Sequence, residues 1–228
     1  MEFQIIRFYL FQNFHVSLTL FFSNRSHIDM IEIMKNMCAI QDDAYWEVKL
    51  EDGEKWVDSL DPDPTSRTIC LEIRTRDGFL IRLRFGYFPP YQCHFNGYVV
   101  LPIGLHMEPW LQQNRFDYHE MQYCIDLHHI ELTYGNAETR CFGWDHGHFF
   151  DANLSITAAL QPHKVVSGPV QVLQEAREFI QHVRDKENEI LENKKREQFR
   201  VLEKELIEMT CHPTRIAAWV DQEFDPFA

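Results

Sequence analysis

Residues 140–151 (RCFGWDHGHFFD) combine two histidines and two aspartates with large apolar side chains. Asp145, His148 and Asp151 follow one another at steps of three residues, and the glycines of the segment would allow a turn that brings these side chains to one point. Aspartate and histidine are the ligands expected of an open Zn²⁺ or Fe²⁺ site. A His–Asp pair can equally perform acid–base catalysis without a metal, because the aspartate fixes the tautomer of the histidine.

Several further histidines and aspartates lie in the middle third of the chain. The sequence contains no phosphate-binding loop, dinucleotide-binding fingerprint, serine-hydrolase elbow or zinc-binding spacing that would assign them a role. A structural interpretation therefore stays open, in which the segment is the ordinary end of a buried strand and each histidine is exposed or bonded to a backbone carbonyl. The residues concerned are His106, Asp126, His128, His129, Asp145, His146, His148 and Asp151.

Size and composition indicate a globular protein with one domain, or one domain and an appendage. The 228 residues are 45% apolar and 14% aromatic, which is ample material for a core, and the net charge is -13. A protein that binds a phosphate backbone needs clustered Lys and Arg, so the acidity argues against nucleic acid as a partner. The six cysteines show no CxxC pair, which favours separate reduced thiols and an intracellular setting.

Residues 1–36 are a Phe-rich leader whose status is open. The apolar run of residues 9–22 is too short to span a bilayer as a helix, and it lacks the basic start and cleavage site of a signal peptide. We therefore expect no stable membrane span. Two interpretations remain: translation begins at Met30, Met34 or Met37, or the run forms a buried first strand.

Residues 37–168 show the patterns of a β-rich core domain. Apolar and polar residues alternate on both sides of Asp77-Gly78, and Asp52-Gly53 is a turn signal of the same kind. Asn96-Gly97 predicts a further hairpin, and residues 140–145 predict one more strand. The sequence thus predicts an antiparallel sheet or sandwich.

Residues 169–210 predict a long amphipathic helix. The chain lacks Gly and Pro from residue 170 to 209, and its apolar residues recur at steps of three and four. A polar stretch (ENKKREQ) separates a well-buried half from a more exposed half, which we expect to pack on the sheet or on a partner helix, with a kink near Asn193. Residues 211–228 predict a short terminal helix. The predicted fold class is α+β.

Three segments resemble a family of small phage and large-DNA-virus proteins without an established activity. NGYVVLP…GLH (residues 96–106), HHIELTYG (128–135) and GWDHGHFFD (143–151) are similar to the family blocks GYVxVPxxH, HGGLTY and GFDCAHAGD. The histidines of the first two blocks and the spacing of the third are kept. The resemblance implies a functional polar cluster formed by His106, His129, Asp145, His148 and Asp151.

The chain also departs from the family pattern. Ile130 and Glu131 stand where the family has two glycines, and His146-Gly147 replaces Cys-Ala. If those glycines let a ligand approach the backbone, the pocket of this protein is altered or lost. The C-terminal HPTRIAAWVDQEFDPF is similar to a tail found on many large-DNA-virus proteins. Together with the three blocks it implies a viral protein that resides in the host cytoplasm or in the virion.

One hypothesis is a hydrolase that acts on a small phosphorylated or nucleotide-like molecule. Asp145, His148 and His129 would hold one divalent metal ion (zinc, iron or manganese) or position a water molecule. Asp151 would orient His148. His106 would act as an acid or contact the substrate.

The other hypothesis is a non-enzymatic viral accessory or virion protein. The β-domain would be a scaffold, and residues 170–209 would bind a host or viral protein or a second copy of the chain. The histidines and aspartates would then form a hydrogen-bonded corner of the domain.

Overall fold

The computed structural model describes residues 27–37, 46–57, 68–88, 92–146 and 168–211. No helix in these residues is long and apolar enough to cross a membrane. In chain order, the regular elements are α1 (His27–Met37), β1 (Lys55–Val57), β2 (Thr68–Arg74), β3 (Leu80–Phe88), β4 (Gln92–Val100), α2 (Glu108–Gln113), α3 (Tyr118–Cys124), β5 (Tyr134–Asn136), β6 (Cys141–Asp145) and α4 (Pro169–Cys211).

The strands form one six-stranded sheet in the order β1-β2-β3-β4-β6-β5. Every neighbouring pair is antiparallel. Helix α4 packs on β3 and β4 across one side of the sheet, which we call the inner face, and the opposite side is the outer face. The predicted α+β fold, an antiparallel sheet followed by a long C-terminal helix, is confirmed.

The β2–β3 hairpin follows the alternation of the sequence. Gly78 lies in the turn with a φ of +92°, a conformation that costs glycine little. Along β3, Ile81, Leu83 and Phe85 are fully buried on the inner face. The arginines between them point to the outer face, as the pleat of a strand requires.

The prediction of a hairpin turn at Asn96-Gly97 is wrong, because both residues lie inside β4. The chain reverses between Phe88 and Gln92, which pair with each other. Gly97 serves packing instead: a Cβ atom there would lie 2.3 Å from Cζ2 of Trp144 on the neighbouring strand. The Asn-Gly pair thus allows a large indole ring to approach the sheet, which local turn preferences do not reveal.

Helix α4 has a packed half and an exposed half. Apolar side chains from Val172 to Val183 are buried in the core, and Ile190 still packs against it. The side chains of residues 192–210 are all exposed, so this half does not pack on the sheet, and the alternative of a partner helix stays a prediction. The reason is length: 43 residues make a helix of about 64 Å, whereas a nine-residue strand spans about 30 Å. The helix continues without interruption through Asn193, where the sequence predicts a kink.

Part of the predicted leader belongs to the folded domain. Residues 27–37 form α1, and Met34 is fully buried in the core. The apolar run of residues 9–22 lies outside the described residues, and so does the terminal helix predicted after Cys211.

Candidate functional site

The candidate site lies on the outer face of the sheet, at the end of β6. Side chains alternate along this strand, so Trp144 is buried towards α4 while Asp145 points to the outer face. Thr133 donates its hydroxyl hydrogen to Asp145 Oδ2 at 3.2 Å. The backbone N–H of Thr133 also donates to the Gly143 carbonyl at 2.9 Å. These bonds fix the chain before β5 beside the end of β6.

A row of polar side chains crosses three strands at this point. The register pairs Asp145 with Asn96 and Asn96 with Arg84, and side chains at paired positions lie on the same face. We call Arg84, Asn96 and Asp145 the polar row. Asn96 Oδ1 is buried, and none of the described residues donates a hydrogen bond to it. A buried oxygen without a donor is costly, so this position suits a ligand hydroxyl or amino group, or a water molecule.

Two tyrosines flank the polar row. Tyr98 covers Gly143 so closely that a Cβ atom on Gly143 would lie 2.4 Å from Cδ1 of the tyrosine ring. The rings of Tyr98 and Tyr134 meet edge to face, with their centroids 5.8 Å apart. Aromatic rings of this kind offer a planar ligand group a surface on which to stack. Gly143 is therefore required by the tyrosine and not by a turn.

The cysteines near the polar row are poor nucleophiles. Cys70 is the partner of Arg84 in the register of β2 and β3. Burial raises the pKa of Cys70 to about 12 and the pKa of Cys141 to about 11. Only the thiolate reacts, and these thiols stay protonated at neutral pH. Both thiols are therefore expected to be weak nucleophiles.

Of the predicted site residues, Asp145 lies in the polar row, whereas His148 and Asp151 lie outside the described residues. His129 is exposed and precedes Thr133 by four residues. The contacts found among the described residues do not include one between His129 and Asp145.

The structure places His106 away from the polar row. The backbone N–H of His106 donates to Glu187 of α4. Glu175, which contacts the end of β6, lies twelve residues earlier on the same helix, or about 18 Å along its axis. The described structure therefore does not bring His106 and Asp145 together.

The polar row does not form a metal site by itself. Among the described residues, no group of three His, Cys, Asp or Glu side chains could hold a metal ion. Asp145 is the one carboxylate of the row, and Asn96 and Thr133 beside it are neutral.

A second polar cluster lies across β6, on the side of α4. Glu175 Oε2 accepts a hydrogen bond from Trp144 Nε1 at 2.8 Å and lies 2.8 Å from His146 Nε2. Burial by itself raises the pKa of Glu175, but the hydrogen bonds and charge of His146, together with the bond from Trp144, outweigh it and hold the pKa below its ordinary value. This cluster ties the end of β6 to the helix, which identifies a structural role for His146.

The sequence alone does not indicate that Thr133, Asn96 and Glu175 belong to these clusters. Glu175 leaves a detectable signal, because it is a carboxylate beside the buried Val172 and Ala176 on the apolar side of α4. Thr133 and Asn96 belong to the segments that carry the family resemblance, but their role depends on strand register, which the sequence does not specify.

No family model, curated protein or solved structure matches this chain. The features that bear on function are therefore the two polar clusters and the exposed half of α4.

Proposed function

We propose that the polar row is the ligand site of a hydrolase that acts on a small phosphorylated or nucleotide-like molecule. One observation supports the proposal most directly. Each of the three segments that resemble the viral family supplies one residue at the end of β6. Asn96 comes from the first segment, Thr133 from the second and Asp145 from the third. Convergence of this kind at a strand end, beside aromatic rings, is typical of a site where polar groups select and orient a ligand.

The residues of the row suit hydrolysis of a phosphate ester. Asp145 accepts the proton of a water molecule whose oxygen attacks phosphorus, and Thr133 orients the carboxylate. The bond from phosphorus to the leaving oxygen breaks, and His148, oriented by Asp151, returns a proton to that oxygen. Arg84 places positive charge in the same row, where it favours a phosphate group. Asn96 Oδ1 accepts from a hydroxyl or amino group of the ligand.

Replacing Asp145 by Asn tests this proposal, because the change removes the charge and keeps the shape. We expect phosphate release from a panel of nucleotides and sugar phosphates to fall at least about a hundredfold, the usual contribution of a general base. Asp126→Asn is the matched control, since that aspartate is exposed and pairs only with exposed His128 in the described contacts. The melting temperatures of both variants establish that they fold.

Two results would contradict the proposal. Unchanged phosphate release by Asp145→Asn would exclude the carboxylate as the base. No release by the wild type from any member of the panel would exclude hydrolysis of this substrate class. Plasma mass spectrometry of untagged wild type and His148→Ala would show whether an ion is bound through residues beyond the polar row.

A second function is supported by a separate observation. Residues 192–210 of α4 are exposed along their whole length, yet they carry several large apolar side chains. Exposed apolar surface on an ordered helix is typical of a protein-binding segment. We therefore also propose that this half of α4 binds a protein partner, as suits a viral accessory protein of the kind that the resemblance implies.

A further inference from the structure

The exposed half of α4 presents one apolar stripe. Phe199, Leu202, Leu206 and Met209 follow one another at steps of three, four and three residues, so they share one side of the helix. Their exposed fractions run from 71% at Phe199 to 49% at Met209. Such steps are those by which a helix inserts into a partner helix or a groove.

The stripe lies beyond the part of α4 that packs on the sheet, and only part of it faces away from the domain. Ile190 packs against the core, and Phe199 follows it by nine residues. Nine residues are about two and a half helical turns, so Phe199 lies on the side of the helix opposite to Ile190. Met209, in contrast, follows the buried Leu173 by 36 residues, or ten turns, and lies on the same side of the helix as Leu173. The stripe is therefore exposed because α4 extends past the sheet, not because all of it faces away from the domain.

Charge is divided along the exposed half. Residues 194–200 contain four cations and one carboxylate, whereas residues 202–208 contain three carboxylates and one cation. A parallel pair of such helices would place like charges side by side. An antiparallel pair would place the basic segment of each helix beside the acidic segment of the other, which is favourable.

We propose that the exposed half of α4 binds a second copy of the same chain in antiparallel orientation. The inference rests on the second proposed function and names its partner. When residue 192 of one copy lies opposite residue 210 of the other, the exposed halves overlap along their whole length, about 28 Å. Residues 194–200 then lie opposite residues 202–208, so overlap and charge lead to the same register. The two β-domains lie at opposite ends of the pair.

The same register gives the stripe a suitable contact. Phe199 and Leu202 lie near the middle, where they meet their counterparts. Leu206 and Met209 lie over Lys195 and its neighbours, whose long methylene stems can cover apolar surface while the charged ends stay in water. Lys195–Glu192 and Arg200–Glu197 are exposed ion pairs within the helix, and such pairs are weak enough to be exchanged for contacts between copies.

Sedimentation velocity of the full chain over a concentration series tests the inference. We expect the wild type to form dimers and Leu206→Glu to weaken the dimer at least tenfold. Ile207→Glu is the matched control, because it adds the same charge at a residue of similar exposure that points about 100° away. Both positions are exposed, so both variants should melt at the wild-type temperature.

Charge-reversed variants test the charge pairing and, when combined, the orientation. Replacing Lys194, Lys195 and Arg196 by Glu makes the exposed half predominantly acidic, and replacing Glu203, Glu205 and Glu208 by Lys makes it predominantly basic. We expect each variant to be monomeric alone and the mixture to form a heterodimer. A dimer formed by either variant alone would overturn the charge pairing. All six changes together exchange the signs of the two segments, so an antiparallel pair predicts that this variant dimerises with itself and not with the wild type. A heterodimer of this variant with the wild type would overturn the antiparallel arrangement.

A wild type that stays monomeric at about 100 μM would overturn self-association. Equal dimerisation of Leu206→Glu and the wild type would overturn the role of the stripe. The broader proposal that α4 binds some protein fails separately, if wild type and Leu206→Glu recover the same proteins from a host-cell lysate.

Discussion

The two halves of α4 have similar compositions but different surroundings. Both carry several Glu, two Arg and several large apolar side chains. In the first half, apolar residues such as Phe179 and Val183 are buried, and Arg177 and Arg184 form ion pairs with the sheet and its turns. In the second half, from residue 192 to 210, every side chain is exposed.

This difference gives the two halves different roles, because the first half stabilises the fold and the second half is exposed for binding. The first half is held by tertiary contacts, whereas the second is held by the intrinsic helix preference of its residues and by exposed ion pairs one turn apart. Substitutions in the first half should therefore change the free energy of unfolding. Substitutions in the second half should change association and leave the fold intact.

Phe179→Ala and Phe199→Ala give the sharpest form of this comparison. Phe179 is fully buried between Phe142 and Trp144, so its loss leaves a cavity and we expect a destabilisation of about 3–5 kcal/mol. Phe199 is 71% exposed, and its replacement should change stability by less than about 0.5 kcal/mol. Urea unfolding followed by circular dichroism measures both values. Equal losses would show that the exposed half also packs on the domain.

The sheet was predictable where the pattern of the sequence is local. The alternation through β2 and β3 and the Asp77-Gly78 turn indicate a hairpin that the structure contains. The Asn96-Gly97 prediction fails because the same dipeptide can allow close packing, here against Trp144 from a distant strand. The extent of contact along α4 depends on the size of the sheet, which helical periodicity does not encode.

The polar row was predictable only in part. Asp145 could be proposed because its residue type and its place at a strand end are both local features. Its neighbours Asn96 and Thr133 could not, because they meet it through the pairing of β4 with β6 and through the chain before β5. The roles of His148 and Asp151 remain predictions from spacing and resemblance.

Ion pairs extend the comparison of the two halves to charged residues. Arg177 bonds Glu54 at 2.6 Å, with side-chain exposures of 17% and 5%, whereas Lys195 bonds Glu192 at 2.9 Å with both side chains about half exposed. We expect Arg177→Met to cost about 1.5–3 kcal/mol, because it leaves the Glu54 carboxylate without its guanidinium. Lys195→Met should cost no more than about 0.5 kcal/mol. The same urea titration measures both, and a larger loss for Lys195→Met would contradict the division of α4.

The pH dependence of stability provides the smallest of these effects. The pKa of Glu175 is raised by burial but lowered more by His146 and Trp144, so the folded protein binds a proton at this carboxylate less tightly than the unfolded chain does. Its ionised form therefore stabilises the fold above the ordinary carboxyl pKa of about 4.3, and this stabilisation is lost as the pH falls through the lowered pKa.

We expect the wild type to have a higher melting temperature than Glu175→Gln at pH of about 5.5, and this gap in melting temperature to close below pH of about 4. Glu192→Gln, at an exposed ion pair of the second half, should show the same direction with a smaller gap, because water and salt screen its charge. A gap between wild type and Glu175→Gln that does not change with pH would show that the Glu175 contacts act through packing and not through charge.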